Sequence, residues 1–168
     1  MTMNSILKPC ILSVILTVAV TAPFAAPAFA DEVVNVTLTN KDGILDLSTR
    51  LGLGLGMKGN MDLALTQIKI DRNTVPAGKV TFIVTNASGQ HPHEMVVAPV
   101  ADETTLMPFN ENENRVDEGK SNALGEVAEL EPGKSGSVSL DLKPGKYVLY
   151  CNVPGHYMTG MWTLLNVK

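Results

Sequence analysis

Beyond residue 30 the sequence has a single cysteine, Cys151, and its aromatic content over the whole chain is only 5%. A lone cysteine excludes an internal disulfide in that region. It leaves a buried hydrophobe, an intermolecular bridge, a reactive thiol or a metal ligand. Basic residues are also short. With Lys8 set aside, 12 basic residues face 17 acidic ones, a net charge of −5. A mildly acidic chain lacks the basic face that phosphate binding needs, so nucleic acid is excluded as a partner. After the N-terminal segment no apolar run is long enough to span a bilayer, so no stable membrane insertion is expected.

What is present begins with that N-terminal segment. Residues 1–30 carry one charge, Lys8, then the apolar run 11–20, and end in Ala28-Phe29-Ala30. This is the pattern of a secretory signal peptide cut after Ala30. Pro23 and Pro27 interrupt the end of the run, which is short for a spanning helix. Cys10 precedes the run rather than following it, which speaks against a lipid-anchored cysteine. The domain is therefore expected over residues 31–168, exported to the periplasm or beyond the cell. That length buries a core without covalent staples.

The domain reads as strands and turns. Val34, Val36 and Leu38 alternate with polar residues, as do Ile68 and Ile70, then Val80, Phe82 and Val84, then Met95 and Val97. Glu126–Leu130, Val138–Leu142, Tyr147–Cys151 and Met161–Val167 continue the series to about eight strands. Pro132-Gly133 and Pro144-Gly145 each suit the centre of a type II turn. Strands punctuated in this way predict an all-β, antiparallel sandwich or barrel. Two segments fall outside the ladder. Residues 41–62 contain leucine alternating with glycine over Leu51–Met57, an irregular and flexible insertion near the N-terminus with at most one helical turn. Residues 99–122 hold six acidic residues against Arg115 and Lys120, and are expected to form a solvated loop, with a docking surface for a basic partner as the alternative.

The chemistry concentrates in Cys151-Asn152-Val153-Pro154-Gly155-His156-Tyr157-Met158-Thr159-Gly160-Met161. A thiol, an imidazole and a thioether follow one another at five-residue intervals. The segment leaves one strand, crosses a turn at Pro154-Gly155 and enters another, so one loop aims all three groups at one point. A fourth group comes from His91-Pro92-His93-Glu94. Thiolate and thioether are soft ligands that favour copper(I), and imidazole suits both copper oxidation states. Two histidines, a cysteine and a distant methionine form the type 1 copper set. Structural zinc sites rarely use methionine and usually gather more cysteines.

These residues resemble the cupredoxin family of blue-copper proteins, which includes plastocyanin, rusticyanin and sulfocyanin. The run 144–161 resembles its C-terminal copper loop, and Asn86-Ala87-Ser88 with His93-Glu94-Met95 resembles the segment bearing its first histidine. The resemblance implies a Greek-key β-sandwich with one copper ion at one end, held by His93, Cys151, His156 and, more weakly, Met161. It also implies that Asn86 joins the two ligand segments by hydrogen bonds. His91 is expected to be an exposed neighbour, Met158 to line an apolar rim, and Met95 to lie in the core.

The expected function is single-electron carriage between redox protein partners through the Cu(II)/Cu(I) couple. The alternative is copper storage, delivery or resistance with copper-handling partners, for which Met57 and Met61 would form a second copper(I) site. An enzyme is not expected. Three histidines are too few for a trinuclear cluster or a nitrite-reducing second copper, and one thiol excludes a two-cysteine dinuclear centre. No nucleophile, base and orienting acid stand at workable spacing for hydrolysis.

Overall fold

The alternating residues bury one face each and so divide into two layers. In the computed structural model, which describes residues 31–168 except 42, 45, 49 and 56–60, these are two facing sheets. The strands are β1 (Glu32–Asn40), β2 (Thr66–Ile70), β3 (Thr74–Val75), β4 (Gly78–Asn86), β5 (His93–Val100), β6 (Phe109–Asn110), β7 (Arg115–Val116), β8 (Gly125–Leu130), β9 (Ser135–Leu142), β10 (Gly145–Tyr150) and β11 (Trp162–Val167). One helical turn, α1 (Glu118–Ser121), lies between β7 and β8, and a 3₁₀ turn covers Met61–Leu63. The first sheet has the order β2-β1-β4-β9 and the second β3-β11-β10-β5-β8, with β6 and β7 pairing separately.

The all-β sandwich follows the alternation, and all eight expected strands form. The count rises to eleven because β3, β6 and β7 are two residues each, too short to carry a period. Nor are the sheets purely antiparallel: β1 runs parallel to β4, and β11 parallel to β3. Val34, Leu38, Val80, Phe82, Val84, Met95, Val97, Leu149 and Leu165 fill the space between the sheets, all with no solvent exposure. In the turn that carries the chain from β8 in one sheet to β9 in the other, Gly133 takes φ 75°, as a type II turn requires. Pro144-Gly145 does not form that turn, since Gly145 takes φ 157° and is already extended as the first residue of β10.

The second sheet is buried on both faces, which alternation alone did not predict. Val96, Ala98, Val148 and Tyr150 point away from the first sheet, yet none is exposed. Residues 99–124 fold over them. This stretch carries β6, β7 and α1 and buries Met107 and Val116, so it is not a solvated loop. The leucine-glycine insertion reinforces the cover. Leu51 and Leu53 are buried, and Leu53 packs with Tyr150 and Tyr157. The insertion is thus docked where the glycines suggested a free excursion. Met57 lies outside the described residues, and so do residues 1–30.

Candidate metal centre

β5 and β10 pair antiparallel, with Tyr150 opposite Val96, so the start of β5 and the end of β10 meet at one end of the sandwich. His93 is the first residue of β5 and Cys151 follows the last residue of β10. Opposite His93, the ladder to β8 is irregular: Leu130 faces His93 and Val127 faces Met95, so β8 carries one extra residue there. Such a bulge twists a strand end and re-aims side chains. Here both His93 and Glu94 are buried.

The loop after Cys151 closes on itself through its backbone. The Cys151 amide donates to the Met161 carbonyl at 3.0 Å, and the Met161 amide donates to the His156 carbonyl at 2.9 Å. The Thr159 hydroxyl donates to the Gly155 carbonyl at 2.8 Å. Gly155 and Gly160 take φ 85° and 102°, a region other residues enter only with strain. One tight coil therefore fixes Cys151, His156 and Met161 relative to one another.

The donor atoms converge. His93 Nδ1 lies 3.2 Å from His156 Nδ1, and Cys151 Sγ lies 3.3 Å from His156 Nδ1 and 3.9 Å from His93 Nδ1. Among the described residues this is the only group of three or more His, Cys, Asp or Glu whose ligand atoms all lie within 4.8 Å. His93, Cys151 and Met161 have no exposure, and His156 has 5%. His91, two residues before His93, is exposed, and Met95 lies in the core.

Burial holds both imidazoles neutral. The His93 pKa falls from 6.5 to about 4, chiefly by burial and then by His91. His156 falls likewise to about 4, by burial and then by His93 and His91. Burial pushes the Cys151 thiol up to about 12, against the pull of the Glu94 and Val153 backbone amides on its sulfur. Two neutral rings thus turn their Nδ1 atoms toward each other and toward a sulfur, while His93 Nε2 is buried without a hydrogen-bond partner. Each neutral ring carries one N–H and one lone pair, so a suitable choice of tautomers lets these atoms hydrogen-bond to one another, and a bound cation would instead take a lone pair from each. Nitrogen and sulfur donors with a buried thioether nearby fit copper.

The family model for copper-binding proteins of the plastocyanin/azurin family matches residues 53–168. The chain belongs to this family. It is a cupredoxin, and its cofactor is copper. It is 32% identical over 111 residues to auracyanin-B of Chloroflexus aurantiacus, covering 62% of this chain and 46% of the relative. The chain therefore spans about half the length of that curated relative. Rusticyanin from Thiobacillus ferrooxidans superposes with a TM-score of 0.50 at 15% identity, covering 83% of this chain and 80% of rusticyanin, a likeness of fold.

Several supports of this cupredoxin's site differ from expectation or were not foreseen. Asn86 is fully buried, but its Nδ2 donates to the carbonyls of His91 (2.9 Å) and Leu130 (2.7 Å), and its Oδ1 accepts from the Ser88 amide. It ties the His93 segment to β8, not to the Cys151 loop. Asn152 makes the link to the outer layer. Its Oδ1 accepts from the Val116 amide at 2.7 Å, and its Nδ2 donates to the Val116 carbonyl at 2.9 Å and to Glu118 Oε1 at 2.6 Å. The insertion forms a strap over the loop: the Leu51 amide donates to the Met158 carbonyl and Trp162 Nε1 donates to the Leu51 carbonyl, both at 2.7 Å. Met158 is buried beneath it, with 4% exposure.

Glu94 has 8% exposure and a pKa raised from 4.5 to about 7, by burial first and then by Glu118, Glu126 and Glu129, with Arg115 opposing. Between those values the fold holds a proton that the unfolded chain releases, so metal-free stability declines as pH rises from about 4.5 to 7. The histidines act in the opposite direction, withdrawing stability as pH falls from 6.5 toward about 4. Glu94→Gln is therefore expected to stabilise the metal-free protein at pH 8 by on the order of 2 kcal/mol and to change it little near pH 4. Urea unfolding at the two pH values measures this, and an equal effect at both would contradict it.

Proposed function

We propose that His93, Cys151 and His156 hold one copper ion, with Met161 as the weaker fourth ligand, and that the protein carries single electrons. The observation that supports this best is the meeting of two Nδ1 atoms and one Sγ inside a water-excluding shell. When bound, copper supplies a one-electron Cu(II)/Cu(I) couple. The chain's residues do the rest. Cys151 gives up its thiol proton on metal binding, and the Glu94 and Val153 amides then steady the thiolate. The backbone-closed loop and the buried rings hold one donor arrangement, so little moves when the electron does. The same burial disfavours the delivery reading, because an acceptor protein would need access to ligands that the strap and the sandwich enclose.

In this reading residues 1–30 are a signal peptide and residues 31–168 work in the periplasm or another exported compartment, exchanging electrons with redox proteins. The test is repeated cycling of copper-loaded protein between ascorbate and hexacyanoferrate(III) in the presence of a copper(I) chelator. An electron carrier is expected to regain its full visible absorption in every cycle. Copper passing to the chelator at each reduction would replace this reading with delivery.

A further inference from the structure

The first half of the loop after Cys151 is held by a part of the chain that carries no donor. β6 and β7 pair as a short hairpin, closed behind by the Asp117 amide, which donates to the Pro108 carbonyl at 2.8 Å. This hairpin meets the loop twice. The Asn152 side chain closes a reciprocal pair of hydrogen bonds with the Val116 backbone, at 2.7 and 2.9 Å, and adds a third to Glu118 Oε1. The Gly155 amide donates to the Asn114 carbonyl at 2.7 Å. Asn152 has 1% exposure and Val116 is buried with it, so without that amide the Val116 N–H and C=O would stand unpaired in a dry interior. The strap does not duplicate this hold, since its backbone bond falls at Met158, beyond His156. Nor does Asn86, which bonds to Ser88, His91 and Leu130.

The hold reaches the sulfur through one peptide unit. Asn152 stands between Cys151 and Val153, and the Val153 amide is one of the two that act on the Cys151 sulfur. An N–H aimed at the sulfur draws electron density from it and so favours the electron-rich Cu(I) state. Cu(II) free to rearrange moves toward a tetragonal geometry, which favours the oxidised state. Fixing the 152–153 peptide keeps the first effect and denies the second. We infer that Asn152 is a positioning residue of the metal centre: clamped on the β6–β7 hairpin, it fixes the peptide beside the sulfur and thereby sets the balance between Cu(II) and Cu(I). The inference rests on the ligand set proposed above.

The test is a redox titration of the copper-loaded protein, with amide hydrogen exchange on the metal-free form. In Asn152→Ala the Cu(II)/Cu(I) ratio at a fixed applied potential is expected to rise about tenfold, which for one electron is about 59 mV. In the metal-free variant the Val153 and Gly155 amides are expected to exchange about tenfold faster relative to those of β10, a comparison that cancels any global loss of stability. Tyr147→Phe removes a 2.8 Å bond to the Lys143 carbonyl at the far end of the sandwich and is expected to leave the ratio unchanged. Should Asn152→Ala not fold, Asn114 offers a second approach. It takes φ 52°, so Asn114→Val strains the turn and displaces the carbonyl that holds Gly155, whereas Asn114→Gly enters that region freely. The valine variant is expected to raise the ratio about threefold and the glycine variant to leave it unchanged. An unshifted ratio in folded Asn152→Ala, an equal shift in Tyr147→Phe, or equal behaviour of the two Asn114 variants would overturn the positioning role. Failure of the unmodified protein to give a reversible copper couple would instead overturn the electron-carrier reading.

Discussion

Replacing Cys151 with serine is expected to abolish the intense visible absorption of the copper-loaded protein and to widen its copper hyperfine splitting to that of an ordinary copper(II) site. The band depends on a polarisable thiolate sharing electron density with the metal. A serine oxygen is hard, and at neutral pH it keeps its proton. The side chains are close in size, so the fold is expected to survive, with a cost of about 1–3 kcal/mol for a hydroxyl buried where an apolar thiol sat. Folding and colour thus separate cleanly: a cooperative unfolding transition is expected to persist while the blue colour vanishes. A variant that keeps the band would show that Cys151 Sγ is not the ligand, despite lying 3.3 Å from His156 Nδ1.

The second large effect is expected far from the donors in sequence, at Gly54. This residue takes φ 78°, and a Cβ there would stand 2.5 Å from the Thr104 carbonyl oxygen and 2.6 Å from that of Thr105. Backbone atoms cannot step aside as a side-chain tip does. Gly54→Ala is therefore expected to push Leu53 out of its pocket beside Tyr157 and to cost about 2–4 kcal/mol. Gly133→Ala is the matched comparison, because Gly133 takes φ 75° with nothing within 4 Å of the added atom. It is expected to cost only about 1 kcal/mol, the strain of a left-handed non-glycine residue. Chelator-driven copper loss should accelerate about tenfold or more in the first variant and hardly change in the second. Equal behaviour would mean that the strap does not protect the centre.

Much of this was legible in the sequence because the period of a half-buried strand is short. Val34, Val36 and Leu38, or Val80, Phe82 and Val84, announce themselves within five residues. The metal loop was equally local, with Cys151, His156 and Met161 on one stretch of chain. What escaped depends on distant pairs. Trp162 bonds to a carbonyl 111 residues away, and Asn152 to a strand 36 residues away. No spacing rule connects them. The alternating pattern also misleads where a strand is covered twice: Val96 and Ala98 fit an exposed face until residues 99–124 close over it. Asn86 matched its expected neighbourhood but not its partners, since side-chain amides choose among whichever carbonyls the turns present.

The separation of the donors also sets when the centre comes into being. His93 and Cys151 stand 58 residues apart and meet only through the register of β5 with β10. Short loops of the chain cannot assemble them, and a fold dominated by such distant pairings, including the parallel match of β1 to β4, forms slowly compared with a helical one. Until it forms, the newly made polypeptide has two thiols far apart, Cys10 and Cys151, and scattered imidazoles, with nothing that selects one metal over another. If residues 1–30 take the chain across a membrane unfolded, as proposed, it meets its metal on the far side, and the destination compartment, rather than the site of synthesis, decides which ion the finished sandwich encloses.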